Sequence, residues 1–146
     1  MNPSPITELI RKGESQQVEF KLETATPEVV AHVVCSFLNT QGGTLLIGVS
    51  DEGHVAGVRR AQERAREIEK TLSDLISPSA LWSVTTEPFE GENLIVVAVP
   101  PGPSRPYVCQ DVIYVRRGSR IERTQTAAPG DIHKIISERA GEPTRW

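Results

Sequence analysis

Residues 36–58 read SFLNTQGGTLLIGVSDEGHVAGV, and this stretch decides most of the expected fold. Its glycine pair, Gly42 and Gly43, follows an apolar helical pattern and supplies the positive φ with which helices commonly end. The next run, TLLIGVS, is almost continuously apolar, as expected of a central strand buried on both faces. Asp51 and Gly53 then favour a tight turn into the short strand VAGV. The stretch predicts a helix end, a buried strand and a hairpin.

Apolar periodicity on both sides of this stretch predicts further helices and strands. Helical spacing recurs at residues 6–12, 27–38, 60–77 and 131–140, and strand patterns occur at 17–22, 81–89, 93–100 and 113–124. The charged side of the helix at 60–77 is interpreted as a solvated face. The expected fold class is α/β mixed (α+β): a single domain at 1–140, with a mixed sheet of about six strands and helices packed against it, and a polar C-terminal tail at 141–146.

Composition narrows the classes of protein. Cys35 and Cys109 belong to no CxxC or Cys/His arrangement, so neither a zinc site nor a disulfide framework is indicated. No apolar run approaches the ~18 residues of a membrane span, and the first residues lack signal-peptide features, so we expect a cytoplasmic protein with no membrane partner. The net charge of −3 argues against bulk coating of nucleic acid. Residues 101–146 hold 8 basic and 5 acidic side chains, so a basic patch is expected there.

Charged residues crowd an alternating apolar strand at residues 13–23, GESQQVEFKLE. A solvent-facing strand edge is one explanation. Alternatively, Glu14 and Glu19 join Asp51, which follows the buried strand, in a carboxylate cluster suited to Mg²⁺ or Mn²⁺. Such a cation would activate water beside a phosphodiester. Lys21 lies on the same strand face as Glu19 and forms either a salt bridge or a catalytic contact to the scissile phosphate.

A second candidate site is rich in arginine. Arg116, Arg117, Arg120 and Arg123 flank Gly118 in a predicted strand turn. Guanidinium groups fork onto phosphate oxygens, so these residues, together with Lys21, are candidate nucleic-acid contacts; surface solubilisation explains them equally well. No GxGxxG or GK[ST] motif is present, so no nucleotide cofactor is expected.

Three stretches jointly resemble the Schlafen family's AlbA_2 domain: GESQQVEFK, then SFLNTQGGTLLIGVSDEGHVAGV, then IYVRRGSRIER before a terminal helix. The resemblance covers roughly residues 6–136. It implies a nucleic-acid-binding domain, often part of transcriptional regulators in bacteria. Animal relatives include endoribonucleases that act on transfer RNA, and their three-carboxylate active site is carried over here to Glu14, Glu19 and Asp51.

The animal nucleases resemble two such lobes joined around RNA, whereas this chain has one lobe. A homodimer would restore the two-lobed groove. The expected function is therefore nucleic-acid binding (DNA or RNA), with a Mg²⁺- or Mn²⁺-dependent endoribonuclease acting on transfer-RNA-like substrates as the alternative. The first of these functions needs no enzyme activity and the second does, and the sequence does not decide between them. A protein-interaction module without nucleic-acid chemistry is a third class, because fold does not fix function.

Overall fold

The computed structural model describes residues 4–125 of the 146-residue chain. The helices are α1 (Pro5–Lys12), α2 (Pro27–Leu38) and α3 (Ala61–Leu75). The strands are β1 (Val18–Lys21), β2 (Gly43–Ile47), β3 (Ile76–Ser77), β4 (Ser83–Phe89), β5 (Glu92–Val99), β6 (Val108–Cys109), β7 (Val112–Arg117) and β8 (Arg120–Gln125). The helix predicted at 131–140 and the tail at 141–146 lie outside the described residues.

The strands form two sheets of four, ordered β1-β2-β5-β4 and β3-β6-β7-β8. β1 runs parallel to β2, and every other pairing is antiparallel. The mixed α+β class is confirmed. The expected single sheet of about six strands is instead eight strands in two sheets, because the two-residue strands β3 and β6 extend the β7–β8 hairpin into a sheet of its own.

Helix α2 lies at the centre of the core. Thr26 caps its first turn by accepting a hydrogen bond from the Val29 N–H at 3.3 Å, and Pro27 fits the first helical position. The helix contacts β2 and β5 of the first sheet and β6 and β7 of the second. Its buried Val33 and Phe37 therefore join one core with residues of both sheets. Each fully buried side chain of this size contributes about 1.5–3 kcal/mol to folding.

A smaller core covers the other face of the first sheet. Val18, Phe20, Leu46 and Leu94 are buried there, and apolar residues of α1 pack against them. Residues of β1 thus alternate between two environments, with Phe20 on the α1 side. Glu19 and its parallel partner Leu45 belong to the α2 side, which is the side that faces the second sheet.

The glycine pair allows α2 to pass directly into β2. Gly42 has φ +75°, and a Cβ there would lie 2.5 Å from the Val99 carbonyl oxygen. A Cβ on Gly43 would contact the Phe37 ring and the Gln17 carbonyl oxygen at 2.6 Å or less. Only glycine fits both positions, so the predicted helix end and turn are confirmed. Within residues 4–125, none of the helices is long and apolar enough to cross a membrane.

Candidate functional site

Glu14 stands just before β1 and is partly buried. Its Oε2 accepts a hydrogen bond from the Phe20 N–H at 2.9 Å, which fixes the side chain against the strand. Burial raises the pKa of this carboxyl group, and the negative charges of Glu19 and Asp51 raise it further. Glu14 therefore lies within electrostatic reach of both Glu19 and Asp51.

Glu19 lies on β1 with only 6% of its surface exposed. Its Oε1 is 3.0 Å from Nη1 of Arg116, and its Oε2 is 3.3 Å from Nζ of Lys21. Lys21 is partly exposed at the end of the strand, and its contact to Glu19 is the salt bridge, one of the two roles that the sequence leaves open for it. Both carboxylate oxygens of Glu19 thus already have cationic partners.

Asp51 is exposed in the turn that follows β2. It lines a surface cleft of about 400 Å³ together with Lys21, Thr24, Ser50 and Glu52. The cleft lies beside the end of β1, because the Lys21 carbonyl oxygen accepts from the N–H groups directly after β2.

The side chains as they stand do not fit a metal ion held by three carboxylates. Within residues 4–125, no three His, Cys, Asp or Glu side chains are placed to hold a metal ion together. Glu19 forms salt bridges with Arg116 and Lys21, and Glu14 accepts a hydrogen bond from the Phe20 N–H. A cation at Glu19 would have to compete with the positive charges of Arg116 and Lys21. The metal-ligand assignment of the three carboxylates therefore stays a prediction.

Arg116, expected to contact phosphate, is completely buried instead. Besides the Glu19 pair, its Nε donates to the Gln16 carbonyl oxygen at 2.8 Å and its Nη2 to that of Ser15 at 2.7 Å. The guanidinium also lies 4.6 Å above the Phe37 ring. No surface is left for a phosphate to reach. The expectation is corrected: Arg116 holds the second sheet against the segment before β1.

The β7–β8 turn is fixed to the same segment by Gln16. Its Oε1 accepts from the Gly118 N–H at 2.8 Å, and its Nε2 donates to the Arg116 carbonyl oxygen at 3.5 Å. The arginine-rich turn and the carboxylate-bearing segment are therefore neighbours, although 100 residues separate Gln16 from Arg116 in the chain.

The three remaining arginines are exposed, but on two faces of the hairpin. Arg117 and Arg120 share one face and both pair with Glu122. Arg123 is on the other face, opposite Tyr114 in the register. On this face His32 stacks on Tyr114 with ring centroids 4.3 Å apart, and burial, followed by the charge of Arg123, lowers the pKa of His32.

Sequence reasoning missed two groups of residues. Asn39, fully buried, forms hydrogen bonds to both the N–H and the carbonyl of Tyr107, just before β6, and donates to the Tyr114 carbonyl oxygen of β7, so it ties the end of α2 to the second sheet. The other group is Arg59, Arg60 and Arg64, which line one pocket near α3 rather than a uniformly solvated face. The density of arginine in RRAQERAR could have indicated the basic pocket. The Asn39 contacts join residues too far apart in the chain to be predicted from local sequence patterns.

Comparisons with known proteins agree with this fold. The DIP2311 protein from Corynebacterium diphtheriae is similar over 90% of this chain, with a TM-score of 0.64 and 18% identity, and the chain spans only 25% of that protein. The N-terminal domain of a RecG-related protein from Nitrosomonas europaea, assigned as an ATP-dependent DNA helicase, is similar over 68% of this chain and 74% of its own length, with a TM-score of 0.56 and 23% identity. The family model for Schlafen, AlbA_2 matches residues 14–125. The chain therefore belongs to the Schlafen AlbA_2 family.

Proposed function

We propose that this domain binds nucleic acid and that the β7–β8 turn supplies the main phosphate contacts. One observation carries the proposal: the turn is anchored by buried Arg116 and by Gln16, while the side chains of Arg117 and Arg120 are 54% and 79% exposed. A fixed turn loses little conformational freedom when it binds, and guanidinium groups pair with phosphate oxygens in a planar fork. Arg123, on the other face of the hairpin, and Lys21, in the Asp51 cleft, are further candidate contacts.

Glu122 moderates this surface because it pairs with both Arg117 and Arg120. Exposed ion pairs contribute only about 0–1 kcal/mol, so a phosphate competes readily with this carboxylate. The net charge of −3 also restricts binding to a local patch. Family membership and the likeness to the RecG-related domain support the same class of function. Transcriptional regulation is one setting in which such DNA occupancy would act.

Fluorescence anisotropy tests the proposal with labelled transfer RNA, single-stranded DNA and duplex DNA at about 50 mM salt, where phosphate contacts are strong. We expect the wild type to bind and the Arg117→Ala/Arg120→Ala double variant to bind more weakly. Arg66→Ala/Lys70→Ala is the matched control, because it removes two positive charges from exposed positions on α3. If the wild type binds none of the three probes, the protein-interaction module replaces this proposal.

A metal-dependent endoribonuclease is the second candidate function. The observation that favours it is that Lys21 and Asp51 line one surface cleft, and Glu14 is near enough to Asp51 for the two charges to interact. A bound Mg²⁺ or Mn²⁺ would supply an activated water and positive charge at the phosphodiester. Lys21, at the mouth of the Asp51 cleft, would hold the substrate phosphate. Incubation of labelled transfer RNA with the protein and Mn²⁺, against a chelator control, tests this function.

We also propose that two copies form the binding unit, since one lobe offers half of the groove inferred from two-lobed relatives. Light scattering with and without a short duplex measures the assembly. A symmetric dimer in either state agrees with the proposal. A monomer in both states contradicts it and leaves nucleic-acid binding by a single lobe intact.

A further inference from the structure

A basic pocket, separate from the β7–β8 turn, lies where the loop after β1 meets the start of α3. Its volume is about 590 Å³, and it is lined by Glu23, Thr24, Thr26, Pro27, Val58, Arg59, Arg60 and Arg64. Three arginines against one glutamate give this wall a net charge of +2. The chain as a whole is acidic, so this local excess of positive charge is not a consequence of composition.

The only carboxylate in this wall is already occupied. Glu23 accepts from the Arg59 N–H at 2.9 Å through Oε1 and from the Arg59 Nε at 3.1 Å through Oε2. Both oxygens of Glu23 are thereby directed at one arginine. Arg60 and Arg64 are left without a carboxylate partner among the residues that line the pocket.

Arg64 is held in place by main-chain oxygens rather than by an acid. Its Nη2 donates to the carbonyl oxygens of Glu23 at 2.8 Å and Ala25 at 2.5 Å. Its Nε is buried and has no hydrogen-bond partner among the described residues. The guanidinium therefore orders the loop that forms the pocket wall, and it forms no direct ion pair with Glu23, the carboxylate of the pocket lining.

Arg60 presents a second positive charge at the start of α3. Its side chain is 84% exposed and approaches one carboxylate within the described residues, Glu63 on its own helix, at 4.0 Å. Arg60 occupies the N-cap position of this 15-residue helix, and no side chain caps the helix there. The N–H groups of the first turn and the positive end of the helix dipole add to the arginine charges.

We propose that this pocket binds a phosphate monoester, either the terminal phosphate of a nucleic-acid strand or a nucleoside monophosphate. A monoester carries about −1.5 to −2 charge at pH 7 and three acceptor oxygens, which matches the charge of the pocket better than the single charge of an internal phosphodiester. Thr24 lines both this pocket and the cleft of Lys21 and Asp51, so a strand end held here would lead toward that cleft. The terminal phosphate of a strand as ligand rests on the proposed nucleic-acid binding. A site for a phosphate monoester does not depend on it.

Arg60→Gln is the informative variant because the Arg60 side chain is 84% exposed and its ion pair is with Glu63, an exposed residue outside the pocket lining. Arg66→Gln is the matched control, an exposed arginine on the same helix outside the pocket. Calorimetry and anisotropy would compare one single-stranded oligonucleotide with a 5′-phosphate, with a 3′-phosphate and with neither. A nucleoside 5′-monophosphate and its nucleoside form the small-molecule pair.

We expect a phosphorylated oligonucleotide to bind the wild type about tenfold more tightly than the unphosphorylated one, the range of one charge-assisted contact. Arg60→Gln should abolish this preference and Arg66→Gln should keep it. If the wild type binds the monophosphate and none of the oligonucleotides, and Arg60→Gln loses this binding, the site is supported with a mononucleotide as its ligand. The same result would overturn the nucleic-acid proposal. Equal binding of all three oligonucleotides with no binding of the monophosphate would overturn the site and leave nucleic-acid binding standing.

Discussion

The Arg116 guanidinium meets the Glu19 carboxylate at 3.0 Å in the interior between the two sheets. Arg116 comes from β7 and Glu19 from β1, and the pair is closed off from solvent. The same guanidinium donates hydrogen bonds to the carbonyl oxygens of Ser15 and Gln16, so it also fixes the backbone that leads from Glu14 into β1. A residue expected to bind nucleic acid therefore holds the carboxylate segment in shape.

Removal of Arg116 should destabilise the fold strongly. Arg116→Ala leaves Glu19 buried with only Lys21 as a cationic partner, so we expect the free energy of unfolding to fall by about 3–5 kcal/mol. Urea unfolding measures this value. The exposed neighbour Arg117→Ala should change it by less than ~0.5 kcal/mol.

Replacing both partners of the pair separates buried charge from lost packing. Glu19→Leu/Arg116→Met leaves no unpaired charge inside, so it should be more stable than Arg116→Ala. A double variant as unstable as the single one would show that the carbonyl contacts of Arg116, rather than its pairing with Glu19, dominate.

The hairpin should show its phosphate contacts in the salt dependence of binding. Arg117→Ala and Arg120→Ala are each expected to weaken binding similarly across sequences and to lower the magnitude of the salt slope by about 1 per lost contact. Anisotropy titrations at several salt concentrations give the slope. Arg123→Ala reports whether the nucleic acid also contacts the other face of the hairpin, since Arg123 is on the side of Tyr114. Unchanged slopes in all three variants would exclude the hairpin as the interface.

Local sequence patterns predicted most helices and strands, whereas contacts between residues distant in the chain could not be predicted from them. The helix that ends at the glycine pair, the buried strand after it and the hairpin around Gly118 all follow from short-range rules. The division into two sheets depends on β3 and β6, which have two residues each and leave no periodic signal. Arg116 follows three consecutive buried residues of β7, so alternation could not tell it from Arg117.

Glu14 should titrate above the ordinary range of glutamate, because burial and the charges of Glu19 and Asp51 raise its pKa. The folded protein then holds this proton more tightly than the unfolded chain. Stability should fall as pH rises from the ordinary glutamate pKa to the raised one, and Glu14→Gln should remove that dependence. Carboxyl NMR titration measures the pKa, and Asp51→Asn should lower it. A Glu14 pKa at or below the ordinary value would contradict the proximity of the three carboxylates.

His32 should make the protein sensitive to mild acid. Burial and the charge of Arg123 lower its pKa, so the unfolded chain binds a proton that the folded protein resists. Stability should therefore fall as pH drops below about 6.5, the ordinary histidine value. His32→Phe should keep the stack on Tyr114 and lose this dependence, and Arg123→Gln should raise the His32 pKa in an NMR titration. A pH dependence unchanged in His32→Phe would assign it to other groups.

Asp51 separates nucleic-acid binding from cleavage, because it is exposed and can be changed without disturbing the core. Asp51→Asn removes negative charge beside Lys21, so binding without metal should persist or tighten. If the domain is a Mg²⁺- or Mn²⁺-dependent nuclease, cleavage of labelled transfer RNA should disappear in this variant. Glu52→Gln is the control, since Glu52 lines the same cleft and is not a proposed ligand. A wild type that binds but never cuts leaves a binding domain, and an Asp51→Asn variant that cuts like the wild type removes Asp51 from the chemistry.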